Sequence, residues 1–531
     1  MEVGGATHPP DEVLVERYVR YIDELSELIE ERGWPSLDSA MAAALAGIPG
    51  HETQAVIDRE RLRYRAEVAA PVEAILRERK ASRPAAVAKV PVAFTGGGPG
   101  DYDPAFYAQA LDGVEPRFLR VAEPPETTRL ALRVSWPRES AMDFPRGASA
   151  FVSGADRDVL ALYVGKYRPC LGMSGFYLVL DASANSAAVV PQLPRRSFSV
   201  FSGYGTIGTG VAVLRHGGGE YLLAELLRRA HRGRISCKGT LLRWWSSSSG
   251  SGPAAGRWVP TEVTLPLPGG NEQGHHSFCA DVAFAVGGAS LCWADLLQGI
   301  VMCDGVLAAG GDDPQFRFIP LPPGTSVAPG IADRFPLAAR RSMCCVERDG
   351  DQVLKFVAMD GCYGRDLTIT VWTLRLAVNV PTAAAAEWER SFSCSYGELR
   401  PADPAQQLEL LVPTYHPVLS LVDDHAVYFT AAVKLLSKPE RLEDCVGCVL
   451  RVDMRQRKVL SSSLLPPGSG LIPTKLVVST FSSYLHKRSL LNEGQTSEEE
   501  IRIKSEKHVV GLASLLGDLG CTDEHGSKPS Q

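Results

Sequence analysis

The chain lacks any long apolar run. No stretch of its 531 residues approaches the roughly 20 consecutive apolar residues that a membrane-spanning helix needs. Its first twelve residues have no basic segment followed by an apolar one, which a secretory signal would require, and no N-x-S/T sequence occurs. We therefore expect an intracellular protein, cytoplasmic or nuclear, that does not bind membranes.

Sequences that signal common catalytic sites are also missing. There is no H-E-x-x-H motif and no Walker lysine loop, and GMSGF at residues 172–176 lacks the second glycine of a serine nucleophile elbow. The acidic pairs Asp312/Asp313 and Asp423/Asp424 are typical of turns, because neighbouring residues of a strand point apart. We assign no catalytic residue and expect that the protein is not an enzyme.

Two motifs match cofactor or metal patterns only in part. Residues 203–208 spell G-x-G-x-x-G, and Glu225 stands near the place of a ribose-binding acid. The residues that follow have a strand pattern, whereas a dinucleotide site needs a helix there. Cys445 and Cys448 have the spacing of a zinc pair but lack two further ligands. We predict a strand-linking turn and buried thiols, and assign no cofactor-binding or metal-binding residue.

An excess of positive charge is lacking as well. The net charge is −6 and the isoelectric point is near 6.1, so the chain has no general attraction for a phosphate backbone. The basic cluster at residues 228–234 has no aromatic stacking partners, which favours a turn between strands. We expect no nucleic-acid partner. The twelve cysteines fit free thiols in a reducing compartment.

What the chain has is apolar sequence with short periods. Apolar residues make up 45% and charged residues 22%, as in ordinary globular proteins. Residues 11–32 repeat apolar side chains every three or four positions and end at Gly33, which predicts an amphipathic helix. Residues 53–80 repeat this period, and Pro71 is predicted to kink or divide the helix. Residues 1–81 are thus predicted to form a helical N-terminal region.

The composition changes after this region. Residues 82–119 are rich in proline, glycine and alanine, which predicts a linker. From 120 to 485 short alternating runs are bounded by turn residues, which predicts many antiparallel strands. Within them, residues 380–404 are predicted to form a loop or short helix. Residues 486–531 are predicted to form a C-terminal helix and a disordered tail.

One unit recurs three times along the predicted strands. It consists of an apolar strand, an aspartate, a loop, a second apolar strand and a proline, and its aspartates are Asp181, Asp304 and Asp453. We predict that these aspartates mark equivalent corners of a recurring sheet. The spacing suits one copy per two or three sheets of about 40–50 residues. This favours a mainly β fold with a β-propeller-like body of repeated short antiparallel strands, with a pair of β-sandwiches as the alternative.

The sequence also resembles a known family. The segments SLCWADLLQGIVMCD at 290–304, FRFIPLP at 316–322, LKFVAMDG at 354–361 and PVLSLVDDHAVYFTAAVK at 417–434 are similar to the plant domain of unknown function 1618. The resemblance extends over residues 120–485 and implies no reaction, cofactor or catalytic residue, because none is established for the family. The strand pattern is also similar to the kelch-like domains that follow F-boxes in plant substrate adaptors.

These observations favour a noncatalytic module that binds a protein partner through its loops. A first alternative is a substrate adaptor of a ubiquitin ligase, based on the kelch-like pattern and on PDEVL at residues 10–14, which is similar to the opening of an F-box. A second alternative is an enzyme with its site in the channel of a propeller.

Overall fold

The computed structural model describes the parts of the chain that form the sheets and the N-terminal helices. The described residues are 10–35, 37–46, 53–82, 88–90, 108, 111–134, 149–165, 175–191, 193, 211–231, 234–246, 256–268, 278–307, 314–327, 337–361, 367–376, 387–401, 410–413, 416–434, 445–465 and 476–484. The predicted helix of residues 486–531 lies outside them.

The chain begins with strands where a helix was predicted. Residues 11–32 contain β1 (Val13–Glu16) and β2 (Tyr18–Asp23), and only α1 (Glu24–Glu31) is helical. The prediction of one helix from 11 to 32 is therefore wrong for its first half. The physical reason is tertiary: β1 and β2 are rich in β-branched and aromatic residues, and strands distant in the sequence pair with them.

The remaining N-terminal helices agree with the sequence pattern. They are α2 (Leu37–Leu45), α3 (Thr53–Tyr64) and α4 (Ala70–Ser82), with a π-helical turn at Arg65–Ala69 between the last two. The π-helical turn ends at Ala69, two residues before Pro71, which has no N–H to continue the α-helical bonds. The predicted interruption is therefore a π-helical turn within a continuous helical run, not a break between two helices. Leu28 and Ile29 of α1 pack against Tyr64, Val68 and Val72 in a small apolar cluster.

The segment predicted as a linker, residues 82–119, contains structure. It includes β3 (Ala88–Val90) and β4 (Val114–Arg120), and β5 (Thr127–Val134) follows. β4 pairs with β5, and β3 lies parallel to a strand more than ninety residues later. The proline- and alanine-rich composition therefore does not prevent this segment from contributing two strands to the ten-stranded sheet.

Three successive groups of four antiparallel strands form the centre of the chain, each in the strand order of the sequence. The first group belongs to a ten-stranded sheet and is called the first sheet, while the other two are separate four-stranded sheets. The first comprises β6 (Ser149–Asp156), β7 (Val159–Gly165), β8 (Gly175–Asp181) and β9 (Ser186–Pro191). The second comprises β10 (Ala212–His216), β11 (Glu220–His231), β12 (Arg234–Trp245) and β13 (Val259–Thr264). The third comprises β14 (Val282–Val286), β15 (Ser290–Asp295), β16 (Gly299–Asp304) and β17 (Gln315–Pro320).

Two further sheets follow. The fourth comprises β18 (Arg341–Arg348), β19 (Asp351–Asp360), β20 (Thr368–Leu376) and β21 (Glu389–Ser395). The fifth comprises β22 (Arg400–Pro401), β23 (Leu410–Pro413), β24 (Val418–Leu419), β25 (Ala426–Lys434), β26 (Cys445–Asp453) and β27 (Lys458–Leu464). Since β21 lies within 380–404, the prediction of a loop or short helix there is wrong for this part.

A sixth group of strands joins the two ends of the described chain. The last strand, β28 (Leu476–Ser479), runs antiparallel to β1, and β1 pairs with β5, which pairs with β4. β2 lies between β5 and β6 and connects this group to the first sheet. Strands from both ends of the described chain thus form one sheet.

The sheets pack around a common centre. One strand of each group lies nearest the centre, and these six central strands are β6, β10, β14, β18, β24 and β28. They contact one another in this order, and β28 also contacts β6. Six apolar clusters lie between neighbouring groups, so each group packs on two neighbours. In a β-sandwich each sheet packs on only one other sheet. The arrangement is mainly β and propeller-like, as predicted.

The three predicted aspartates occupy equivalent places. Each of the three aspartates ends the third strand of its group. Asp181 ends β8 of the first sheet, and Asp304 ends β16 of the third sheet. Asp453 ends β26, which is third in the series β24, β25, β26 and β27 of the fifth sheet. Asp181 accepts a hydrogen bond from the Ala184 N–H and Asp453 accepts one from the Gln456 N–H, so each caps the turn that follows. The Asp304 carboxylate instead contacts Ser290 Oγ and Arg317. The prediction is thus confirmed for the strand position of all three aspartates, and only Asp181 and Asp453 share the contact to the turn.

Candidate functional site

The candidate site is the polar seam where residues 10–12 meet the fourth and fifth sheets. Glu12 is 4% exposed and lies just before β1. Its carboxylate accepts hydrogen bonds from Ser420 Oγ (2.6 Å), the Leu421 N–H (2.7 Å) and Tyr428 Oη (2.9 Å). Burial, together with Glu12, raises the pKa of Tyr428 well above its usual range. The N-terminal segment is thereby attached to the turn between β24 and β25.

Two aspartates of the same turn bind cations from neighbouring strands. Asp424 lies 2.8 Å from Lys355 Nζ and 3.0 Å from Arg348 Nε, and Asp423 lies 3.1 Å from Arg451 Nη2. Burial acts to raise the pKa of both carboxyls, but their hydrogen bonds and the cations outweigh it, so each pKa lies below its usual value. Both groups are therefore ionised and paired at neutral pH. The geometry fits a turn that joins two sheets and gives no support to an acid–base pair.

The seam also presents exposed surface. Arg348 Nη2 donates to the Leu421 carbonyl at 3.0 Å, which holds the turn from the fourth sheet. Val422, between these contacts, is 48% exposed. Tyr484 is 39% exposed and lies two residues after Ser482, whose hydroxyl donates to the Pro10 carbonyl. Val422 and Tyr484 are thus exposed apolar side chains near the seam.

A second ionic cluster lies between the first and second sheets. Arg215 of β10 contacts Asp181 at 2.7 Å and Asp158 at 3.0 Å, and its backbone N–H donates to Asp156 at 2.7 Å. Burial raises the pKa of the Asp156 carboxyl, and the hydrogen bond from the Arg215 N–H only partly opposes it. Three carboxylates converge here, but Arg215 lies among them and fixes two sheets together.

Arginines make similar contacts at the next two junctions. Arg243 of β12 donates to the Val306 carbonyl at 3.1 Å and lies over the Trp245 ring. Arg341, the first residue of β18, donates to the carbonyls of Leu296 (3.0 Å) and Thr325 (2.7 Å). We did not predict these roles from the sequence. The signal was present, since each arginine interrupts or borders an otherwise apolar strand.

Buried cysteines do not form a metal site in the described part of the chain, where no group of three or more potential ligands gathers. Cys448 is buried in a core cluster, while the Cys445 side chain lies outside the description. Burial raises the pKa of Cys344 and of Cys345 to about 12. These thiols stay protonated at neutral pH, which disfavours both metal binding and nucleophilic chemistry.

The other sequence motifs fall into strands or outside the description. Residues 203–208 and the Asp312/Asp313 pair are not among the described residues. Glu225 is in the middle of β11, buried, and accepts a hydrogen bond from Tyr177 Oη at 3.1 Å. In the basic cluster, β11 ends at His231 and β12 begins at Arg234, which lies opposite His231. Residues 232 and 233, where the turn was predicted, lie outside the described residues.

No helix in the described residues is long and apolar enough to cross a membrane. No curated protein matches the sequence. Among solved structures, an exo-1,5-α-L-arabinanase from a bovine ruminal metagenomic library is 10% identical with a TM-score of 0.25, covering 61% of this chain and 99% of its own. An α-L-arabinofuranosidase from Podospora anserina is 10% identical with a TM-score of 0.24, covering 56% and 91%. Likenesses of this size carry no argument about activity.

A family model agrees with the resemblance seen in the sequence. It matches residues 293–428, which extend from β15 through the third and fourth sheets to β25. Its description is a protein of unknown function, DUF1618. The similarity to kelch-like domains stays a prediction. Residues 293–428 of this chain thus match the model of the DUF1618 family, whose function is unknown.

Proposed function

We propose that this chain is a noncatalytic protein-interaction module built on a six-bladed, closed β-propeller. The blades are the five sheets described above and a sixth made of β28, β1, β5 and β4. Support comes from the contacts that link the six central strands in a cycle, and from the apolar cluster between every two neighbouring groups. In such a body the loops at the two ends are free to vary, and loops on a rigid scaffold are the usual binding elements.

The observation that carries the proposal is the chemistry of the central strands. In the six central strands, charged side chains lie only near the strand ends, as at Asp156, Arg215, Arg341 and Arg348. The residues in the middle of these strands are small or apolar. A catalytic channel would need titratable groups that converge where a substrate can enter. The charges of the described strands instead bind one sheet to another.

The adaptor alternative loses part of its basis. The F-box comparison depends on PDEVL at residues 10–14, and F-box segments are helical. Here Glu12 is buried against the fifth sheet, and Val13 and Leu14 lie in β1, paired with Ser479 and Val478. A segment held within the body is not available as a separate helical recruiting element.

The test is affinity capture of the full chain, tagged and expressed at its native level, followed by reconstitution from purified components. We expect at least one partner that is recovered reproducibly and binds the purified chain directly. Asp424→Ala would disturb the seam by removing the partner of Arg348 and Lys355, and its unfolding should be measured in parallel. Reproducible absence of a partner, or turnover of any substrate by the purified chain in a hydrolase panel, would contradict the proposal.

A further inference from the structure

Four exposed cations form one basic corner on the fifth sheet. They are Arg400 of β22, Arg455 and Arg457 of the turn between β26 and β27, and Lys458 of β27. β22 runs parallel to β27 and places Arg400 opposite Lys458. The Arg400 N–H donates to the Arg457 carbonyl at 3.1 Å. Residues far apart in the sequence thus contribute to a single patch.

The turn that carries the corner is rigid. The Asp453 carboxylate, nearly buried, accepts the Gln456 N–H at 2.8 Å, and the Met454 N–H donates to the His425 carbonyl at 2.9 Å. A preorganised patch loses less conformational entropy on binding than a mobile one does. The corner therefore suits recognition better than four cations on a mobile loop would.

The positive charge of the corner is mostly uncompensated. Glu398 lies 3.3 Å from Arg457 and also accepts the Ser395 N–H at 3.1 Å. In the part of the chain that the structure describes, Arg400, Arg455 and Lys458 form no ion pair. Like charges held side by side repel one another, and an anionic partner relieves that repulsion.

The surroundings of the corner distinguish between classes of anionic partner. Leu460, at a bulge in β27 two residues beyond Lys458, is 38% exposed and offers an apolar contact. The nearby Tyr396 is buried, so it cannot stack on a base, and the chain carries a net charge of −6. A polypeptide with carboxylates and an apolar side chain fits these features better than a nucleic acid does.

We propose that this basic corner binds an acidic segment of a partner protein, whose carboxylates pair with Arg400, Arg455 and Lys458 and whose apolar side chain contacts Leu460. This assignment rests on the proposed interaction function and names the chemistry of the partner. Arginine forks match carboxylate geometry, and charge complementarity of this kind speeds association and sets specificity.

The probe is a fluorescein-labelled peptide of four glutamates around one leucine, with a glutamine version as its control. We expect the full chain to bind the glutamate peptide, with affinity falling as salt increases, and to bind the glutamine peptide much more weakly. Arg400→Gln/Arg455→Gln/Lys458→Gln should weaken binding about tenfold. The matched variant Arg59→Gln/Arg61→Gln/Arg77→Gln removes the same charge from exposed helical positions and should bind like the unmodified chain.

Several results would overturn the assignment. They are absence of binding by the unmodified chain, equal weakening by both triple variants, and tighter binding of an oligothymidylate of equal charge. Glu498→Gln/Glu499→Gln/Glu500→Gln tests whether the chain's own acidic run occupies the corner, and much tighter probe binding by this variant would also overturn it. A further outcome is that Arg400→Gln/Arg455→Gln/Lys458→Gln fails to bind the probe and yet captures every partner of the unmodified chain. That result would contradict this assignment and would leave the proposed interaction function unaffected.

Discussion

At the residue scale, a few buried charges determine how neighbouring sheets are joined. Arg215, Arg243 and Arg341 each reach from one sheet to carbonyls or carboxylates of the next, and Lys355 reaches Asp424. A buried cation is costly unless it is paired, so each of these side chains favours one arrangement of two sheets over others. Apolar packing alone would discriminate less between such arrangements.

Gly154 shows how closely the central strands approach. A Cβ at this position of β6 would lie 2.7 Å from the Val211 carbonyl oxygen and 3.1 Å from Val213 Cγ2. We expect Gly154→Ala to lower the free energy of unfolding by about 1–3 kcal/mol, because a backbone carbonyl cannot easily move aside. Gly217→Ala has open space and should change it by less than about 0.5 kcal/mol. Urea unfolding measures both, and equal effects would contradict the close approach.

Asp156, at the junction of the first and second sheets, makes a pH-dependent contribution to the free energy of unfolding. Burial raises its pKa above 3.8, so the folded chain binds this proton more tightly than the unfolded chain does. Its contribution to stability is full below pH 3.8 and is lost as pH rises through the folded pKa. Asp156→Asn keeps an oxygen that accepts the Arg215 N–H and removes this titration.

We therefore expect the variant to gain stability relative to the unmodified chain as pH rises above about 4, as measured by urea unfolding at a series of pH values. Asp351→Asn, at a half-exposed position of β19, serves as the control and should show a smaller trend. A difference between Asp156→Asn and the unmodified chain that stays constant with pH would contradict the assignment.

At the scale of elements, local sequence predicted strands and turns well where the chain pairs with its neighbours in sequence. The runs at Val159–Gly165, Gly175–Asp181 and Gly299–Asp304 are strands as expected, because hairpin partners lie close along the chain. β1 was mispredicted as helix because its partner, β28, is more than 450 residues away. Apolar residues spaced three or four positions apart are weak evidence for a helix when a distant strand can pair with the segment.

Leu14 tests the contribution of β1. Its side chain is fully buried with Val418, Tyr428, Val449 and Leu476, between the fifth sheet and β28. Leu14→Ala should lower the free energy of unfolding by about 2–5 kcal/mol through lost burial and the cavity left behind. Leu62→Ala, at an exposed position of α3, is the matched control and should change it by less than about 0.5 kcal/mol. Similar effects in urea unfolding would exclude a role for β1 in the core.

At the scale of the whole molecule, the closed propeller proposed above depends on the pairing of β1 with β28. Val13 of β1 lies directly opposite Ser479 of β28. Opposed residues of antiparallel strands have the Cα separation that a disulfide requires. Val13→Cys/Ser479→Cys should therefore form a disulfide on mild oxidation, seen as a shift in gel mobility that reductant reverses.

This cross-link would close a loop that includes nearly the whole chain, and the chain-entropy model predicts stabilisation of up to about 5 kcal/mol. Val13→Cys/Val477→Cys is two residues out of register and should not cross-link. The native cysteines whose pKa burial raises to about 12, such as Cys344 and Cys345, should react slowly under these conditions. Equal cross-linking by both pairs would contradict the register and the closure.

The sequence by itself determined the strand-rich composition, the repeated unit ending at Asp181, Asp304 and Asp453, and the family resemblance, because these depend on local patterns. Only the tertiary structure decided that β1 pairs with β28, that Arg400 lies opposite Lys458, and that Glu12 attaches the N-terminal segment to the fifth sheet. The physical reason is that such pairings depend on which distant strands and charges meet when the sheets close around one centre, and no local period encodes that distance.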